Sequence, residues 1–191
     1  MIGKKPSIIL NKKHMKALLV IDMQKGSFIP YSIRHDTLGT VDRINLLAAA
    51  FREKNYPVIF IQHDGTHEGC FLPDSEDWEL LPELVFLPND ISLNKTANDS
   101  FYNSTLLETL LSHGISEVFI TGCATDFCVD STLKSALTKD FKVTVVEDGH
   151  TTGSSPFADA QTLISHYNWV WDDMSPTKFK IRVMKAGDVE V

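Results

Sequence analysis

The chain has 191 residues, 43% hydrophobic and 23% charged, and a chain of that size can bury roughly 70% of its extended surface, enough for one domain with a sizeable core. Eighteen basic against twenty-five acidic residues give a formal net charge of −7, and no stretch concentrates lysines as a phosphate-binding face would, so nucleic acid is not an expected partner. No apolar run approaches the roughly 20 residues that span a bilayer, residues 1–15 lack a signal-peptide core, and the odd set Cys70, Cys123 and Cys128 forms no disulfide framework; a cytoplasmic protein with no membrane partner is expected.

Residues 1–15 carry Lys4, Lys5, Lys12 and Lys13 among scattered apolar residues and read as an extension, with Ile8-Ile9-Leu10 available for packing. Ala17 to Ile21 is an uninterrupted apolar run, the mark of a buried parallel strand, and Asp22 should emerge at its carboxyl end. After a loop with Gly26 and Pro30, Val41, Ile44, Leu47, Ala48 and Phe51 recur at helical spacing until Asn55. Val58 to Ile61 is a second strand. Residues 62–92 hold only short apolar pieces between Gly65, Gly69, Pro73, Pro82 and Pro88, and a loop that long in a compact domain is usually functional. Lys95 precedes a helix marked by Leu106, Leu107, Leu110 and Leu111, with Thr105 and Glu108 as a capping box and Gly114 as the stop.

Val118 to Ile120 is a third strand, broken at Gly122, and a helix starts about three residues before Cys128, with Val129, Leu133, Ala136 and Leu137 as its apolar stripe. Val143 to Val146 is a fourth strand. Ser155-Pro156 is predicted to open a further helix that buries Phe157, Ala160, Leu163 and Ile164, and Ile181-Arg182-Val183 to be a late strand. Strands alternating with helices imply right-handed crossovers and a parallel α/β sheet covered on both faces.

Three ionisable residues occupy comparable places in this scheme. In open α/β sheets ligands bind beyond the carboxyl ends of the strands, where loops from separate strands converge. Asp22 and Cys128 belong to that edge and Lys95 can join them. A thiol in the first turn of a helix feels the unpaired backbone N–H groups, which favour thiolate. Asp22 would then serve as general base and Lys95 as a point charge that holds the pair. Taken singly, each has an ordinary reading: a loop-capping aspartate, a surface lysine, a small buried hydrophobe.

The runs Leu18-Leu19-Val20-Ile21-Asp22-Met23-Gln24, Lys95 followed by Ser100-Phe101, and Thr121-Gly122-Cys123-Ala124-Thr125-Asp126-Phe127-Cys128-Val129 stand together in this order and spacing. The set resembles the isochorismatase-like cysteine hydrolases, which include nicotinamidases, N-carbamoylsarcosine amidases, ureidoacrylate and biuret amidohydrolases, and isochorismatases. The likeness runs from about Met15 to about Met184. It implies a single domain over 16–191: a three-layer open parallel sheet of about six strands with helices on both faces. It also implies a catalytic triad of Asp22, Lys95 and Cys128, hydrolysis of a carbon–nitrogen bond in a small amide or ureido substrate through a thioester, no cofactor, a homo-oligomer, and a cis peptide at Cys123-Ala124.

The tight strand-to-helix bend offers backbone N–H groups of Ala124 and Cys128 as an oxyanion hole. Gln24, His63, Trp78, Phe101 and Cys123 are the candidate substrate contacts. His63, Asp64, His67 and Cys70 bring zinc-ligand chemistry into one loop, but metal-binding nicotinamidases carry Asp-x-His after the second strand, where this chain reads Gln62-His63-Asp64-Gly65. No metal is expected, and nicotinamide is an expected poor substrate. Two other functions compete: isochorismatase-type vinyl ether hydrolysis, which needs an acid but no thiol, and a binding or assembly protein that retains the fold without catalysis.

Overall fold

Side-chain alternation within the apolar runs decides the architecture. In β1 (Met15–Ile21) Ala17, Leu19 and Ile21 enter one core while Leu18 and Val20 enter another, as a strand covered on both faces requires. The computed structural model describes residues 15–191. The expected extension over 1–15, with Ile8-Ile9-Leu10, lies outside the described residues except for Met15, which opens β1 opposite Ile115.

Five further strands join β1: β2 (Val58–His63), β3 (Ile91–Lys95), β4 (Ile115–Cys123), β5 (Lys142–Thr151) and β6 (Arg182–Met184). Their order is β3-β2-β1-β4-β5-β6 and every pairing is parallel. After a short turn, α1 (Lys25–Phe28), the long α2 (Thr37–Glu53) covers one face through Val41, Ile44, Leu47, Ala48 and Phe51. The other face is covered by α3 (Leu106–Ser112), α4 (Asp130–Thr138) and α5 (Ala160–Asp173), through Leu106, Leu110, Leu133, Ala136 and Trp171. No helix of the described residues is long and apolar enough to cross a membrane.

Three local expectations are corrected. The helix assigned to Ser155-Pro156 begins at Ala160, because the Asp159 side chain accepts the Thr162 N–H at 2.7 Å while the Ser155 hydroxyl accepts the N–H groups of Phe157 and Ala158 in a turn of its own. Phe157 is therefore 97% exposed rather than buried. Thr105 stands at the N-cap of α3 but makes no side-chain cap bond; the Ser104 hydroxyl accepts the Leu106 N–H instead. β3, which carries no apolar run, is a strand that periodicity did not reveal. Its burial alternates along Ile91 to Asn94 and only Lys95 is buried, the pattern of an edge.

β5 runs on past Val146 to Thr151, with an irregularity between Ile120 and Gly122 of β4 that re-registers Gly122 against His150. His150 is 2% exposed. Its Nε2 is 3.0 Å from Asn168 Oδ1 and its Nδ1 is 2.9 Å from the Thr125 hydroxyl. Since Asn168 Nδ2 donates to the Glu147 carbonyl, a neutral ring donating through Nε2 and accepting at Nδ1 satisfies the network. Burial pulls the His150 pKa down to about 4.

The unfolded chain binds a proton at this site below about pH 6.5 whereas the folded one resists until about pH 4, so His150 costs about 3 kcal/mol of stability as pH falls through that window. Urea unfolding at pH 7 and pH 5 is expected to show a decline about 2 kcal/mol smaller in His150→Gln than in the wild type.

Candidate active site

At the carboxyl end of β1 the chain turns at Asp22 into the left-handed region, with φ 49°, a conformation that Asp tolerates better than most residues. The Asp22 N–H still donates to the Ile61 carbonyl at 2.8 Å, so the turn stays locked to β2. The residue is 6% exposed. One oxygen, Oδ2, lies 2.7 Å from Lys95 Nζ, and the other, Oδ1, is buried with no hydrogen-bond partner.

Lys95 closes β3, which places its ammonium at the same edge. The residue is 1% exposed, and its three N–H groups are used on Asp22, on the Ala97 carbonyl at 2.9 Å and on Cys128 Sγ at 3.4 Å. Burial works to neutralise the ammonium, but the Asp22 carboxylate and the sulfur outweigh it and hold the pKa above the ordinary lysine value. Lys95 is a permanent cation.

Cys128 enters from the other side of Asp22. β4 ends at Cys123, the Cys123–Ala124 peptide is cis, and a π-type turn (Thr125–Val129) leads into α4. Gly122 makes the approach possible: with φ 116° and an imagined Cβ that would collide with the Ile21 backbone, only glycine lets β4 lie that close to the end of β1. The expectation that the helix start would hold a thiolate is corrected. Burial first, and the Asp22 carboxylate second, push the thiol pKa up against the pull of Lys95. The centre thus pairs a carboxylate with an ammonium beside a thiol that burial and the carboxylate hold in its neutral form.

A cavity of about 200 Å³ opens onto Cys128. Asp22, His63, Cys123, Ala124 and Cys128 line it as the sequence suggested. Three expected contacts do not. The Gln24 side chain is consumed as a clamp, donating to the carbonyls of His63 and Trp78 and accepting the His63 N–H at 2.7 Å. Trp78 borders a separate recess with Ser92 and Asn94. Phe101 is 7% exposed and stacks on Phe141 within the core. Five lining residues escaped the sequence reading: Ser27, Arg34, Phe71, Asn98 and Phe127. Arg34 and Asn98 had a usable signal, since each lies in a loop that leaves the carboxyl end of a site-bearing strand.

The loop residues weighed as metal ligands do not converge. Asp64 accepts from the hydroxyl and N–H of Thr66, which hold its carboxyl below the usual range. His63 Nε2 faces Glu68 at 3.0 Å. Among the described residues no three His, Cys, Asp or Glu side chains gather as a metal would need.

Comparison with known proteins bears on the family and the fold. A family model described as the isochorismatase domain matches residues 16–169. The ureidoacrylate amidohydrolase RutB of Variovorax paradoxus is 29% identical over 194 aligned residues, which cover 81% of this chain and 77% of the relative. A solved isochorismatase family protein from Burkholderia thailandensis is 26% identical with a TM-score of 0.74, covering 94% of this chain and 95% of its own. N-carbamoylsarcosine amidase from Thermoplasma acidophilum shares the fold at 22% identity, with a TM-score of 0.72 over 93% of this chain and 99% of its own.

Lys95→Met is expected to destabilise the protein by about 3–5 kcal/mol, because it leaves the Asp22 carboxylate buried without its cation. Asp22→Asn combined with Lys95→Met should recover part of that loss. Urea denaturation of the two variants measures the difference.

Proposed function

The chain belongs to the isochorismatase family, and from that membership we propose that it is a cysteine-dependent hydrolase of a carbon–nitrogen bond in a small amide or ureido compound. The observation that carries this reading is the position of Lys95 Nζ, 2.7 Å from Asp22 and 3.4 Å from Cys128 Sγ, behind a cavity that both of those residues line. That proximity supports reading Asp22 as general base, Lys95 as the fixed cation and Cys128 as nucleophile. The similarity to a ureidoacrylate amidohydrolase favours the same bond class.

In the proposed cycle Asp22 takes the thiol proton as Sγ bonds to the substrate carbonyl carbon, and the carbonyl oxygen becomes an oxyanion that accepts from the backbone N–H groups of Ala124 and Cys128. Collapse of the tetrahedral species breaks the carbon–nitrogen bond, and the nitrogen leaves with the proton held by Asp22. Water then adds to the thioester, giving its proton to Asp22, and the carbon–sulfur bond breaks to release the acid and return the thiol. Lys95 keeps its proton throughout. Its charge offsets the Asp22 carboxylate at rest and is balanced by the substrate oxyanion once Asp22 is protonated, so the total charge of centre and bound substrate does not change.

A panel of simple amides, carbamoyl compounds and isochorismate, scored for ammonia or product release, tests the reading. Release of ammonia or amine that disappears in Cys128→Ser, with an acyl adduct on Cys128 trapped by mass spectrometry, is the expected result. Turnover of the vinyl ether alone, independent of Cys128, would overturn it, as would a silent panel. Turnover should also survive exhaustive chelation.

Asp22→Asn separates the two roles of the carboxylate. Turnover is expected to fall by about 10²- to 10⁴-fold for want of the base, while iodoacetamide labelling of Cys128 at pH 7 speeds up, because Lys95 remains and the carboxylate that disfavoured thiolate is gone. Slower labelling in the variant would contradict the assigned charge balance.

A further inference from the structure

The chain has four arginines. Arg43, Arg52 and Arg182 each face a carboxylate, Asp36, Asp90 and Glu117 respectively. Arg34 differs from all three. It is half-buried and lines the cavity that opens onto Cys128, and among the described residues no carboxylate lies within ion-pair distance of it. Its Nε donates to the Ser27 carbonyl at 2.8 Å, which fixes the plane of the guanidinium and leaves the four N–H groups of Nη1 and Nη2. An imagined Cβ on Gly153 would stand 3.0 Å from Nη1, so the bare backbone there gives the fork its room.

The charge balance of the cavity is equally specific. Asp22 is neutralised by Lys95, and His63 faces Glu68. Arg34 therefore contributes a positive charge that nothing on the wall answers, in a chain whose formal net charge is −7. Phe71 and Phe127 supply apolar wall beside it, and a half-buried cation without a partner gains from an arriving anion. A fixed guanidinium with two free amino groups matches a carboxylate, which it can hold by two parallel charge-assisted bonds.

We propose that Arg34 anchors a substrate carboxylate, so that the substrate is a small ureido or amido acid with its anionic end at Arg34 and its scissile carbonyl at Cys128. This rests on the reading of Cys128 as the nucleophile. Arg34 is then the residue that selects acids over neutral amides, and it does so before any bond is broken.

Calorimetric titration of Cys128→Ser protein with 3-ureidopropanoate and with its neutral carboxamide tests the anchor without turnover. The acid is expected to bind about 10- to 100-fold more tightly than the carboxamide. Adding Arg34→Gln should erase that preference and Arg34→Lys should keep part of it, with thermal melting to verify that both variants fold. If Arg34→Gln does not fold, the wild-type acid-to-amide ratio and the Arg34→Lys variant still decide. Equal affinity for the two ligands, binding of neither, or a preference that survives Arg34→Gln would overturn the inference. Hydrolysis by the intact enzyme is scored separately: turnover of amides with no preference for acids would defeat the anchor and leave the hydrolase reading standing, and acid-selective binding with no turnover in the whole panel would do the reverse.

Discussion

A lysine ammonium held out of water against an aspartate is the interaction on which the rest of this site depends. Either charge alone would be strongly disfavoured at that depth. Together they offset one another's charge, the carboxylate holds the Lys95 ammonium protonated, and both stand beside a sulfur whose pKa burial raises. Burial here does two opposed things at once. It raises the Cys128 thiol, which opposes thiolate, and it excludes the water that would weaken the attraction between Lys95 and Asp22.

The strand order explains why the cation sits on a long stem. β3 and β1 are separated by β2, so the last residue of β3 starts about two strand spacings, roughly 9.6 Å, from the end of β1. A long unbranched stem carries the ammonium across the end of β2, where a shorter basic side chain would stop early. The aspartate needs no such reach because β1 and β4 are neighbours and Gly122 lets them approach at the point where it matters. Gln24 completes the arrangement by tying the end of β2 and the Trp78 segment to the turn after β1.

The sequence made Asp22 and Cys128 legible because a buried parallel strand announces itself as an apolar run, and the residue after such a run is committed to the carboxyl edge. Lys95 was legible only through its resemblance to a family pattern. Its own strand, Ile-Ser-Leu-Asn-Lys, alternates in the manner of an edge and carries no run. The misplaced wall residues failed for a different reason. Gln24, Trp78 and Phe101 were chosen by residue type and by nearness in sequence, and neither says which way a side chain turns or which backbone groups claim it first. Arg34 went unread because a charged residue in a loop looks ordinary until every carboxylate around it is found to be engaged elsewhere. The start of α5 was a contest between two caps, Ser155 and Asp159, that only the hydrogen bonds resolve.

The edge position of β3 has a consequence of its own. Among the described residues this five-residue strand is bound on one side only, to β2, and it contributes the ammonium that pairs with Asp22. The free energy that keeps this strand docked is a local quantity, smaller than that of the whole sheet, since fraying it breaks one ladder and leaves β2, β1, β4 and β5 paired. Loss of the centre and loss of the fold are thus separate events along a denaturant or temperature axis, and the protein can stop working while its sheet is still intact.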